Sequence, residues 1–224
     1  MSFDLRERLL TIRNDLDNGV SENVYVTPKE MERALNRMED QVEKGPMQVL
    51  TFSQDLLTYT SAIVKQPENV QMKMLSLLTN GFSKMVQITE ACLKSGDLSE
   101  QVDMKASLEL FGYLMYGNAL LLDGSTSDSD QSSSSSKNKK KRTGLEWNHL
   151  KIKMAEACGK LLSFPVVRLF ESRVDCESLI SCIVKLLHHF AEHPENMKIS
   201  ALRQLVLDGL VHAVVDQAYL TGTI

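Results

Sequence analysis

The sequence is short of what a turn-rich or aromatic-cored fold requires. Its 224 residues include 11 glycines, 5 prolines and a single tryptophan, and aromatics make up only 6%. So few turn formers argue against a β sandwich or barrel, which needs turn signals at short, regular intervals. The four cysteines (Cys92, Cys158, Cys176 and Cys182) form no CxxC pair. Scattered in this way, they fit the reduced thiols of an intracellular protein. Nowhere do about eighteen apolar residues run together, so no membrane span is expected. The first residues, Met1-Ser2-Phe3-Asp4, are acidic and amphipathic, unlike a secretory signal. A glycine-rich phosphate loop, a nucleophile elbow and paired catalytic carboxylates are also missing. The expectation is therefore a non-enzymatic binding protein with no catalytic, cofactor-binding or metal-ligating residues.

What is present is helical periodicity. From Asp175 to Val215 the chain reads as two amphipathic helices joined at Pro194. In the first, Leu179, Ile183, Leu186, Leu187 and Phe190 recur at three- and four-residue spacing. In the second, Ile199, Leu202, Val206, Leu210, Ala213 and Val214 do the same, while Leu205, Leu207 and Val211 widen the stripe towards a second face. Burial along one face of two helices falls short of the entropy cost of ordering about forty residues. This hairpin must therefore stack on further helices, as one unit of a helical array does.

Earlier stretches read in the same way. Phe3 to Leu16 predicts a short helix. Thr27-Pro28-Lys29-Glu30 carries a capping-box start for a helix with Met31, Leu35, Met38 and Val42 in a narrow stripe. A helix from about Met47 to Lys65 follows. Pro67-Glu68-Asn69 then starts a long helix, and the same tripeptide recurs as Pro194-Glu195-Asn196. Each copy has a leucine six positions after the asparagine (Leu75, Leu202) and a later mid-helix glycine (Gly81, Gly209). A mid-helix glycine costs about 1 kcal/mol unless close helix approach compensates. Asp97 to Glu100 opens another helix, apolar nearly all round from Leu108 to Leu121. Helix resumes at Leu145-Glu146-Trp147 and continues to about Ser163, with Trp147, Leu150, Met154, Ala157, Leu161 and Leu162, and Pro165 starts a short one. The organisation expected is all-α: a helical bundle over 1–123, a disordered low-complexity linker over 124–144, and stacked helical hairpins over 145–224.

Net charge is −4, so the chain as a whole is not built to bind polyanions. That average hides a cluster. Lys137, Lys139, Lys140, Lys141 and Arg142 place five positive charges in six positions, after a run of serines. Such a cluster serves as a nuclear import signal or a contact to nucleic-acid phosphate, and it occurs as readily in a merely solvated linker. Ser127 and Ser129, each followed by aspartate, are candidate phosphorylation sites, where phosphate would offset the nearby basic charge. Trp147 is the candidate anchor of the second half, for packing or for a partner.

His189-Phe190-Ala191-Glu192-His193 matches the H-x-x-E-H pattern of a zinc hydrolase. Pro194 follows at once and biases His193 out of helical conformation, no acidic third ligand is evident downstream, and Phe190 is needed in the packing stripe. A polar helix end explains the same residues, with histidine near the negative end of the dipole.

One ordered set of elements is familiar. A basic linker ends in Arg142-Thr143-Gly144-Leu145-Glu146-Trp147. A leucine-rich helix, Val167-Arg168-Leu169-Phe170, the helix Glu177 to Val184, and Pro194 to Val215 follow. This order resembles the N-terminal region of condensin complex subunit 1, a HEAT-repeat family, over about 139–215 and more loosely over 46–122. The family has an aromatic two positions before the tryptophan, where this chain has Leu145. The resemblance implies a HEAT-like α-solenoid without enzymatic activity or cofactor. It implies binding to the kleisin subunit and, through it, the SMC ATPase heads, contact with DNA, and a place on mitotic chromosomes in the nucleus, with a cytoplasmic pool. Two other readings stand beside it: a small helical adaptor unrelated to condensin with a phospho-regulated basic linker, and the zinc hydrolase at His189 and His193.

Overall fold

The computed structural model describes residues 27–44, 66–95, 101–126, 137–163 and 173–221, together with residues 59 and 63. The expected helices at Phe3 to Leu16 and Met47 to Lys65, the helix start at Asp97 to Glu100 and the short helix after Pro165 lie outside the described residues or almost wholly so. Among the described residues there are seven helices, packed in pairs, and no strand. The chain divides into two compact units, 1–122 and 123–224.

The first unit contains α1 (Pro28–Lys44), α2 (Glu68–Ser95) and most of α3 (Gln101–Thr126). The capping box at the start of α1 forms. The Glu30 backbone N–H donates to Thr27 Oγ1 at 3.3 Å, and Glu30 Oε2 accepts from the Thr27 backbone N–H at 3.0 Å and from its hydroxyl at 2.6 Å. The Thr27 hydroxyl, and after it the Thr27 N–H, hold the Glu30 carboxyl below its usual range. A carboxylate with a lowered folded-state pKa stabilises above its unfolded pKa, and that contribution is lost as pH falls through the folded value. The protection of amide hydrogens in the first turn of α1, taken relative to the intrinsic exchange rate at each pH, should therefore fall on acidification, and Glu30→Gln should flatten that dependence. An unchanged profile in the variant would sink this account.

Met31, Ala34, Leu35, Met38 and Val42 are buried, and α1 packs this stripe against α2. Lys73 Nζ donates to Asn36 Oδ1 at 2.9 Å across the same pair. The helix α3 is buried nearly all round: Met104, Leu108, Leu110, Phe111, Leu114, Met115 and Ala119 are all inaccessible. It crosses α2 where the Phe111 ring covers Gly81; a Cβ placed there would lie 2.5 Å from Phe111 Cε1. Close approach is what compensates this glycine.

The second unit contains α4 (Lys137–Leu162), α5 (Arg173–Glu192), α6 (Pro194–Lys198) and α7 (Ser200–Thr221). The last of these packs on both α4 and α5. At their junction a Cβ on Gly209 would lie 2.7 Å from Leu187 Cδ1 and 3.8 Å from the Gly159 Cα.

Three expectations change here. The single helix predicted from Pro194 is broken: Ile199 is extended (φ −85°, ψ 103°) and separates α6 from α7. The break resets the helical phase, so Leu202, Val206, Gly209 and Ala213 face inward, while Val214 is 70% exposed instead of buried. The expected disorder over 124–144 also gives way at both ends, because α3 runs on to Thr126 and α4 begins at Lys137. Lysine and arginine are good helix formers, and extending a packed helix is far cheaper than nucleating one. Residues 127–136, including Ser127 and Ser129, lie outside the described residues.

Candidate functional site

Trp147, Leu150, Met154, Cys158 and Leu161 form the apolar stripe of α4. Lys151 falls in phase with them and is only 5% exposed. Its ammonium lies 4.8 Å from the centroid of the Trp147 ring and 5.9 Å from that of Phe190. Lys151 Nζ also donates to Asn196 Oδ1 at 2.9 Å, and Asn196 Nδ2 donates to the Phe190 carbonyl at 3.2 Å. Phe190 is in the last turn of α5, whose carbonyls lack helical partners. Asn196 thus closes one helix end and meets the ammonium from another helix. Cation–π attraction to the two rings further offsets the cost of burying that charge.

The proline corner creates this geometry. His193 is extended (φ −90°, ψ 110°), as a residue before proline prefers, and Pro194 takes the first position of α6. Backbone bonds from Asn196 and Met197 to the His193 carbonyl, at 3.0 and 3.4 Å, then turn Asn196 inward. The first Pro-Glu-Asn copy does not repeat this: Asn69 is exposed, and Pro67 leads straight into α2. The corner is a structural joint. Trp147 is buried, at 8% exposure. Lys151 was not anticipated, although its place four residues after Trp147 and three before Met154 on an apolar stripe was a readable signal.

The histidine pair is closer than the proline suggested. The rings of His189 and His193 meet edge to face with centroids 4.7 Å apart, even though His193 has left the helix. Among the described residues, however, no group of three or more His, Cys, Asp and Glu side chains could hold a metal ion. Nor does the buried Cys158 thiol offer reactivity. Burial, and secondly the neighbouring Cys182, raise the Cys158 thiol far above its ordinary value, which keeps it protonated.

On the outer face of α7, Leu207, Val211 and Val214 are 49%, 62% and 70% exposed at four- and three-residue spacing, opposite the buried face. The first six positions of α4 carry Lys137, Lys139, Lys140, Lys141 and Arg142 in sequence. No helix among the described residues is long and apolar enough to cross a membrane.

A family model described as non-SMC mitotic condensation complex subunit 1, N-terminal region, matches residues 68–223, from the start of α2 to just beyond α7. The chain belongs to that family. No curated protein and no solved structure gives a match. The condensin subunit 1 family is non-enzymatic and acts in mitotic chromosome condensation, so this chain has its role within the mitotic condensin complex. The match takes in both the Lys151–Asn196 joint and the basic start of α4.

Proposed function

We propose that this condensin subunit 1 region is a helical scaffold that binds the kleisin subunit and, through it, the SMC ATPase heads, and that it contacts DNA. The observation that carries the scaffold reading is the outer face of α7. Leu207, Val211 and Val214 form an apolar stripe that the second unit does not use for its own core. Adjacent exposed apolar residues of this kind mark contact surfaces more often than isolated ones do. A partner helix or extended segment laid along α7 would bury them. The chain acts on chromosomes in the nucleus in this reading, with a cytoplasmic pool.

The variant Leu207→Ser/Val211→Ser/Val214→Ser tests this. All three side chains are exposed, so the thermal midpoint should stay close to that of the parent. Capture of the kleisin by the purified chain should fall at least tenfold. Undiminished capture by the folded variant would remove α7 from the interface.

The DNA contact is assigned to Lys137, Lys139, Lys140, Lys141 and Arg142, which also suit a nuclear import signal. The domain limits 1–123, 124–144 and 145–224 are retained as functional divisions, with the middle one as the regulated element. Phosphate on Ser127 or Ser129 would oppose the basic charge that follows. Mapping of phosphopeptides from dividing cells decides whether either serine is used.

A further inference from the structure

The stretch His189 to His193 plays no part in the scaffold reading, yet two of its side chains meet. His189 lies in the last turn of α5, and His193 follows that helix, extended ahead of Pro194. Their ring centroids are 4.7 Å apart at an interplanar angle of 75°. His189 is half-buried and His193 is exposed, so both can be reached from solvent.

The backbone that carries each ring is fixed. Phe190, beside His189, is fully buried, and its carbonyl accepts from Asn196 Nδ2 at 3.2 Å. The His193 carbonyl accepts from the Asn196 and Met197 backbone N–H groups at 3.0 and 3.4 Å. Asn196 thereby ties both histidine-bearing segments together, and bringing the two rings to one ion requires only side-chain rotation.

Imidazole is the commonest protein ligand for transition metals. With metal–nitrogen bonds of about 2.0–2.1 Å, two imidazoles at right angles on one ion have centroids about 4.5 Å apart, against about 5.2 Å at the tetrahedral angle. The observed 4.7 Å is closer to the first. Adjacent positions on a tetragonal or octahedral ion therefore suit the pair better than a tetrahedral zinc site. The last turn of α5 is also the negative end of the helix dipole, which favours a cation. His188 is engaged elsewhere, with its Nδ1 3.4 Å from Glu192 Oε1. Two protein ligands leave the other positions to water, so the site is open and exchangeable. Hydrolytic zinc sites use three protein ligands.

We propose that His189 and His193 together bind one divalent transition-metal ion of the nickel type, clamping the end of α5 to the Pro194 corner.

The test adds Ni²⁺ to the full chain and follows the ring protons of its five histidines by nuclear magnetic resonance. The signals of His189 and His193 should broaden first and together, because the ion is paramagnetic. Calorimetry should give one ion per chain. His189→Ala and His193→Ala should each weaken binding at least about tenfold, since a second tethered ligand adds affinity through its effective concentration. His188→Ala should leave it unchanged. His193→Ala replaces an exposed side chain, so its thermal midpoint without metal should match that of the parent. Ni²⁺ should raise the parent's midpoint and leave the variant's where it was. Zn²⁺ should bind the parent more weakly than Ni²⁺. Tighter Zn²⁺ binding overturns the right-angle geometry. Equal broadening of His149, His188 and His212 means that single imidazoles take up the ion, and overturns the paired site. Binding that survives both His189→Ala and His193→Ala overturns it as well.

Discussion

Asn196→Ala is expected to destabilise the second unit by about 2–3 kcal/mol, although it removes only a small polar side chain. The substitution takes away the acceptor 2.9 Å from the buried Lys151 ammonium and the donor that satisfies the Phe190 carbonyl. Depriving a buried charge of an acceptor costs more than an average hydrogen bond contributes, because the desolvation penalty remains. Lys151→Met keeps most of the volume against Trp147 and Phe190 while removing the charge, so it should cost less than about 1 kcal/mol. The double variant Asn196→Ala/Lys151→Met should then be more stable than Asn196→Ala alone, an interaction energy that residues in one network are known to show. Trp147 is the chain's only tryptophan and lies against the same ammonium, so its fluorescence during urea denaturation reports the unit directly. Strict additivity in this cycle, or an Asn196→Ala variant as stable as the parent, would show that the joint is incidental.

The helices were legible wherever apolar spacing was regular. Leu179, Ile183, Leu186, Leu187 and Phe190 were read as one face and are all buried. The capping box at Thr27 and Glu30 was equally plain, because its signature is local. The phase of α7 was not legible. Its broad apolar pattern suits two faces, and the choice between them was made by the break at Ile199 and by contact between Gly209, Leu187 and Gly159, both set by tertiary packing. The repeat of Pro-Glu-Asn was real in sequence and misleading in structure. A proline corner places the next residues, but only beside Lys151 and the end of α5 does the asparagine find partners, and Asn69 has no such neighbour. The outer face of α7 shows the opposite case: Leu207 and Val211 were recognised as a second face, and the described structure leaves both exposed. Periodicity can show that a face is apolar. It cannot show what covers it.

Glycine gives the sharpest test of how far packing overrides propensity, because one substitution should act with opposite sign at two mid-helix positions. Gly81→Ala is expected to destabilise the first unit by about 2 kcal/mol. The new Cβ would lie 2.5 and 2.6 Å from Phe111 Cε1 and Cζ, and Phe111 is fully buried, so its ring has little room to withdraw. Overpacking of this kind costs about 1–3 kcal/mol, commonly more than the roughly 1 kcal/mol that alanine adds in helix propensity. At Gly159 the Cβ would meet nothing within 4 Å, and propensity acts alone. Gly159→Ala should therefore stabilise the second unit by about 0.5–1 kcal/mol. Urea denaturation followed by far-ultraviolet circular dichroism measures both. A relieving substitution separates the clash from other causes: in the Gly81→Ala background, Phe111→Leu should cost less than it does in the parent, because the smaller side chain makes room for the new methyl. A Gly81→Ala variant that gains stability would mean that α2 and α3 do not approach as closely as Phe111 over Gly81 requires, and the packing of the first unit would have to be redrawn around a wider crossing.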